Sequence, residues 1–104
     1  NIHDTLIDMC CGNGLITSPL SSHVKYIYAF DFTEHLIKSA IHLMQANNIQ
    51  YVVGDGKDEF YRFFNLDEKP TKILMNDSLG YFSPDDLRDL LIYIITGVCV
   101  CFTI

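Results

Sequence analysis

The chain has 104 residues, 49% of them hydrophobic and 19% charged, with a formal net charge of −6 at pH 7. That length bounds it to one domain, and that composition excludes a disordered chain. Its seven basic residues form no cluster that would neutralise phosphates, which disfavours nucleic acid as a main partner.

The start, Asn1-Ile2-His3-Asp4, has neither the basic region nor the apolar stretch of a signal peptide. It also lacks an initiator Met, so the expectation is a piece cut from something longer. The longest apolar stretch, residues 90–104, is too short and too close to Asp89 for a membrane span.

In chain order, residues 5–10 read as a strand buried on both faces, because the run is apolar rather than alternating. It opens into the loop Cys11-Gly12-Asn13-Gly14-Leu15. Gly12 and Gly14 lack a Cβ, so the backbone there can turn sharply and a ligand can approach closely. Asp8 adds a carboxylate just ahead of the loop. The stretch reads either as a nucleotide-cofactor loop or as an ordinary glycine-containing strand-to-helix turn, since short Gly motifs match by chance. Residues 15–22 predict a short or late-starting helix, limited by Pro19.

Residues 25–30 predict a second strand, ended by Asp31. Thr33 is placed to cap the next helix, with Glu34 in its first turn. Leu36, Ile37, Ala40, Ile41 and Met44 then recur at helical spacing, and Asn47-Asn48 stops the run. Residues 49–53 predict a third strand, closed by Gly54-Asp55-Gly56. Phe60, Phe63 and Phe64 suggest a short helix, and residues 72–75 a fourth strand ending in Asn76-Asp77-Ser78. Ser83-Pro84-Asp85-Asp86 is a helix start, with Ser as cap and Pro at the first position. Leu87, Leu90, Leu91, Ile94 and Ile95 continue it to a stop at Gly97. Residues 98–104 predict a fifth strand, an apolar edge without a protecting charge.

The alternation predicts an α/β fold: a three-layer, Rossmann-like doubly wound sheet with five predominantly parallel strands. In such sheets ligands bind beyond the carboxyl ends of the strands, near the switch point. Asp8 with its loop, Asp31, Asp55 and Asn76-Asp77-Ser78 all fall there. Four successive strands ending in carboxylate or amide groups carry more weight than one Gly loop.

The cysteines come as Cys10-Cys11 and Cys99-x-Cys101, without the two-residue gap typical of zinc ligands. Both pairs sit in apolar runs, so the expectation is buried, reduced thiols in a cytoplasmic protein and no metal site. His3, His23, His35 and His42 show no ligand spacing.

These residues resemble the class I S-adenosylmethionine-dependent methyltransferases. That family's first motif is an apolar strand, Asp, an apolar residue, then Gly-Cys-Gly-x-Gly. It stands here as Leu6-Ile7-Asp8-Met9-Cys10-Cys11-Gly12-Asn13-Gly14, with Cys10 where the family usually has its first Gly. Tyr28-Ala29-Phe30-Asp31 matches the second motif and Val52-Val53-Gly54-Asp55-Gly56 the third. The fourth looks like Ile73 through Ser83. The match covers nearly the whole chain and implies that S-adenosylmethionine is the cofactor.

The resemblance also implies roles. The loop from Asp8 and Cys10 through Gly12 and Gly14 would lie against the methionine and ribose. Asp31 would take the ribose hydroxyls, Phe32 would pack on the adenine, and Asp55 would accept from its amino group. Gly56 would add a backbone contact, and Asn76 would lie near the amino-acid end. Each role has a structural counterpart: Asp8 tying its own turn, Phe32 in the core, Asp55 in a plain turn. Asp77, Ser78 and Tyr81 line the substrate side or cap the loop; Asp77 is only a candidate base.

The implied activity is methyl transfer to a small molecule or a protein. No Asn/Asp-Pro-Pro-aromatic motif follows the fourth strand, which counts against an amino-methylating nucleic-acid enzyme. A nicotinamide-binding domain would want G-x-G-x-x-G, and Thr17 stands at the third position. A non-catalytic module that kept the fold is the other alternative, and Cys10 is the ground for it. The family's sheet has seven strands and usually a helix ahead of the first, so the chain is expected to be an incomplete domain, marginally stable and prone to self-association through residues 98–104. Its oligomeric state is open.

Overall fold

The structure, a computed structural model, describes residues 2–64, 70–75 and 83–95. Its elements alternate: β1 Thr5–Met9, α1 Thr17–Leu20, β2 Tyr26–Asp31, α2 Glu34–Leu43, β3 Ile49–Val53, α3 Gly56–Phe64, β4 Lys72–Met75 and α4 Pro84–Ile95. A 3-10 turn at Ser21–His23 extends α1. The four described strands form one parallel sheet in the order β3-β2-β1-β4. The expected fifth strand lies outside the described residues, as do Cys99 and Cys101.

The chain steps outward from β1 to β3, then crosses back to β4 on the other side of β1. Right-handed crossovers in opposite directions put their helices on opposite faces, which is the doubly wound arrangement. Parallel strands covered on both faces lose their alternation, and β1 is buried at all five positions. Leu6, Ile27, Ala29 and Ile49 form one core cluster, against which Leu20, Val24, Ala46 and Tyr51 pack. Ile7, Met9, Phe30 and Ile73 alternate to the other face; all are buried, as is Phe60 of α3.

Helix ends follow local chemistry. Pro19 falls in the first turn of the four-residue α1, where its missing N–H is tolerated. Thr33 occupies the cap position of α2, but its hydroxyl makes no capping bond. Its own N–H is taken by the Asp31 carboxylate at 2.9 Å. That helix ends at Leu43, short of the expected Asn47-Asn48 stop, and the Met44 carbonyl instead accepts the Tyr51 hydroxyl at 2.7 Å. Asn48 ties the start of β3 to the preceding crossover through the Ser21 and Val24 carbonyls. Ser83 caps α4 as expected, its Oγ accepting from the Asp86 N–H at 3.1 Å. Lys57 joins the start of α3 to Asp86 at 2.9 Å.

A shallow apolar hollow of about 160 Å³ includes Leu6, Leu20, Val24 and Leu74 in its lining and is rimmed by Asp4 and Lys72. It lies toward the amino ends of β1 and β4, away from the end where sheets of this kind bind ligands.

Candidate functional site

β1 stops at Met9, so Cys10 belongs to the loop rather than to a strand. Its φ is 61°, in the left-handed region. Gly12 at 59° and Gly14 at 82° share that region, so every second residue of the loop is left-handed. The Cys11 N–H still bonds the Phe30 carbonyl at 3.0 Å, and the Gly14 N–H bonds the Cys11 carbonyl at 3.2 Å. A left-handed residue favours glycine, which is why a family pattern with Gly at position 10 makes physical sense.

The two glycines serve different ends. A Cβ on Gly12 would meet nothing within 4 Å. One on Gly14 would lie 2.7 Å from the Tyr51 hydroxyl and 3.1 Å from the Met44 Cβ. Gly12 therefore sits on the open side of the loop, and Gly14 on the side packed against α2 and β3. The second glycine thus meets a packing requirement that its expected place against a ligand did not call for.

Asp31 ends β2 and organises the open side. Its Oδ2 accepts from the Gly12 N–H and its Oδ1 from the Thr33 N–H, both at 2.9 Å. Its backbone carbonyl accepts from the Gly54 N–H at 3.0 Å. The residue is 7% exposed. Each carboxylate oxygen has two lone pairs, so one on each remains for a ligand. Phe32 follows at 61% exposure and Val53, at the end of β3, at 45%. That places Phe32 outside the core, on an apolar ledge beside the carboxylate.

Asp55 behaves as a helix cap. Its Oδ1 accepts from the N–H groups of Lys57 and Asp58 at 3.0 and 3.3 Å, the ordinary turn role. Gly56 opens α3 directly behind it. Asn76, Asp77, Ser78 and Tyr81 lie outside the described residues.

The underside of the loop is a buried polar cluster. Asp8 is 2% exposed, and its Oδ2 accepts the Thr17 hydroxyl at 2.5 Å. Burial pushes the Asp8 carboxyl up to about 6, against the Thr17 hydrogen bond, with the charge of Asp31 adding to the rise. Cys11, half-buried, bonds the Gly12 carbonyl at 3.7 Å; burial and the two acids hold its thiol protonated. Tyr51 is pushed up to about 12 by burial. Neither Cys10 nor Cys11 is in a disulfide, and no group of three metal-ligating side chains occurs among the described residues.

Sequence reasoning missed Thr17 and Tyr51. Thr17 stood out only as a missing glycine, yet it is completely buried and bonded to Asp8. Tyr51 looked like one more strand residue. The glycine at position 14 was the available signal that something large packs there.

The model of a methyltransferase domain family matches residues 6–96. The chain belongs to that methyltransferase family. Solved structures share the fold at low identity. An rRNA methylase from Streptococcus thermophilus superposes with a TM-score of 0.72 at 19% identity, over 98% of this chain and 61% of its own. The N-methyltransferase NodS from Bradyrhizobium japonicum, in complex with S-adenosyl-L-homocysteine, gives 0.75 at 17%, over 95% of this chain and 51% of its own. The plantazolicin methyltransferase BamL, in complex with a triazolic desmethylPZN analog and SAH, gives 0.71 at 20%, over 92% and 36%. The methyltransferase chain described here thus spans about half to three fifths of the first two. No curated protein matches it in sequence.

Proposed function

We propose that this domain binds S-adenosylmethionine and serves methyl transfer to a small molecule or protein. The observation that carries the reading is the Asp31 carboxylate at the carboxyl end of β2. It is already fixed by two backbone N–H groups, yet it keeps an acceptor site on each oxygen beside open space at Gly12. Such a carboxylate fits the two adjacent donors of a ribose diol. Phe32 and Val53 offer the apolar ledge that a purine needs.

The bound cofactor would supply an already activated methyl group, so the protein's share is to hold, orient and exclude water. Asp31 both positions the loop and accepts the diol. Asp8, beneath the loop, acts through it rather than by contact. Asp55 caps α3 through one oxygen, which leaves its second to accept from the adenine amino group. Asn76 serves the amino-acid end, and the acceptor has no assigned base. We further read the chain as part of a larger seven-stranded sheet working in the cytoplasm.

Two alternatives lose ground. In a nicotinamide-binding loop the third glycine allows close helix–strand packing. Here Thr17 fills that position and bonds Asp8 instead. The argument for a non-catalytic module rests on Cys10, but Cys10 takes the left-handed conformation that the loop needs.

Calorimetric titration with S-adenosylhomocysteine and with NAD tests the reading. The expected result is binding of the first only, weakened at least tenfold by Asp31→Ala, because hydrogen bonds to a charged group contribute about 1.5–3 kcal/mol each. Equal affinity of wild type and variant would remove Asp31 from the site.

A further inference from the structure

The buried pair Thr17–Asp8 has no place in the ribose and adenine contacts, and it lies directly beneath the loop. Among the described residues, the titratable groups that interact with Asp8 on β1 are acidic or neutral. These are Asp31 on β2, the Cys11 thiol in the loop and the Tyr51 phenol on β3. Its register neighbour on β4 is the apolar Leu74. The helix α2 brings Ala40 and Met44 against the underside of the same loop at Gly14. The Thr17 hydroxyl is the hydrogen-bond donor that meets the Asp8 carboxylate, at 2.5 Å.

We propose that Thr17 is a positioning residue whose hydrogen bond keeps Asp8 ionised beneath the loop, and that this second carboxylate sets the site's preference for the sulfonium cofactor over its demethylated product. The inference rests on the S-adenosylmethionine reading above and deepens it.

The two ligands differ by one methyl group and one positive charge, on sulfur. A negative charge under the loop therefore favours the first and leaves the second nearly untouched. Interactions in a partly desolvated site are screened less than in water, so a buried carboxylate acts at a distance that a surface one does not. Burial and the neighbouring Asp31 both oppose ionisation of Asp8, and the Thr17 hydroxyl works against them. Of these influences the Thr17 hydrogen bond is the one that favours the charge, so its loss raises the Asp8 carboxyl further.

The test is the ratio of the dissociation constants of S-adenosylhomocysteine and S-adenosylmethionine, measured between pH 5 and 7.5 on the full chain. The amino-acid ends are common to both ligands and cancel in the ratio. In wild type the preference for the sulfonium should rise about threefold to tenfold as pH passes 6. Thr17→Val should move the rise in the ratio to higher pH. Thr17→Ser, which keeps the hydroxyl, should restore the wild-type profile, and Asp8→Asn should give a low, pH-independent ratio. A purely structural role for Thr17 would weaken both ligands equally and leave the ratio alone, which would overturn the proposal. A flat wild-type ratio would overturn it without any variant, should Thr17→Val fail to fold. If neither ligand binds wild type at any pH, the methyltransferase reading itself fails, and this inference with it.

Discussion

The two sides of the loop between β1 and α1 are built on opposite principles. The upper side is open: Gly12 has no neighbour where a side chain would go, and Phe32 and Val53 stand exposed beside Asp31. The lower side is closed: Gly14 lies under Tyr51, Met44 and Ala40, and Asp8 and Thr17 are buried together. One sequence motif thus has an open face above and a packed face below. On the proposed function, a change at Gly12 above costs binding, whereas a change at Gly14 below costs folding.

Exchanging substitutions between the two glycines breaks this comparison most forcefully. Gly14→Val should cost about 4 kcal/mol, from a β-branched residue at positive φ and from overpacking against Tyr51. That is much of a typical domain's stability, and loss of the cooperative transition in thermal unfolding would register it. Gly12→Val should cost only about 1–2 kcal/mol, the backbone strain alone, and leave a folded protein that no longer binds S-adenosylhomocysteine. Gly14→Ala is the sharper probe, because its Cβ meets the Tyr51 hydroxyl first. Adding Tyr51→Phe should restore part of the lost stability. If the two valine variants prove equally stable, the distinction between the sides is wrong.

The upper side was legible in the sequence because its residues are polar at the ends of apolar runs. Asp31 and the order of strands and helices could be read that way, and so could the cap at Ser83. The lower side was not legible, because its partners come from elements far apart in the chain. Nothing near Gly14 announces Tyr51, 37 positions on. Thr17 was measured against a motif that wants glycine, so its hydroxyl went unread. Cys10 looked like strand because an apolar run does not reveal where φ changes sign. Phe32, read as packing on the adenine or as core, lies outside the core, because the turn after β2 is exposed.

A smaller effect comes from Asp8. Its folded-state value is raised to about 6 from an ordinary carboxylate value, chiefly by burial. Between those values the folded protein holds a proton that the unfolded chain releases. Asp8 therefore contributes stability at low pH that is lost as pH rises through about 6, worth about 3 kcal/mol in all. Asp8→Asn has no such proton to lose. The difference between variant and wild type, from denaturant unfolding without ligand, should shift in favour of the variant between pH 5 and 7. A constant difference would mean that Asp8 is not desolvated, and the underside of the loop would not be the closed region described.

The smallest effect tests the position where the two sides meet. Cys10 leaves β1 at φ 61°, a conformation that costs a non-glycine residue about 1–2 kcal/mol. Glycine removes that strain but gives back about 0.5–1 kcal/mol through the greater freedom of the unfolded chain. Cys10→Gly should therefore stabilise by about 0.5 kcal/mol, raising the melting temperature by about 2–4 °C for a domain of this size. Cys10→Ala separates strain from packing, because it keeps the Cβ and its conformational cost while removing the sulfur. If Ala matches wild type and Gly exceeds both, the residue is tolerated rather than required, and the loop accepts a cysteine only at a backbone cost. If both variants lose stability by a similar amount, the Cys10 sulfur packs against its neighbours, and the left-handed backbone is held there by that contact.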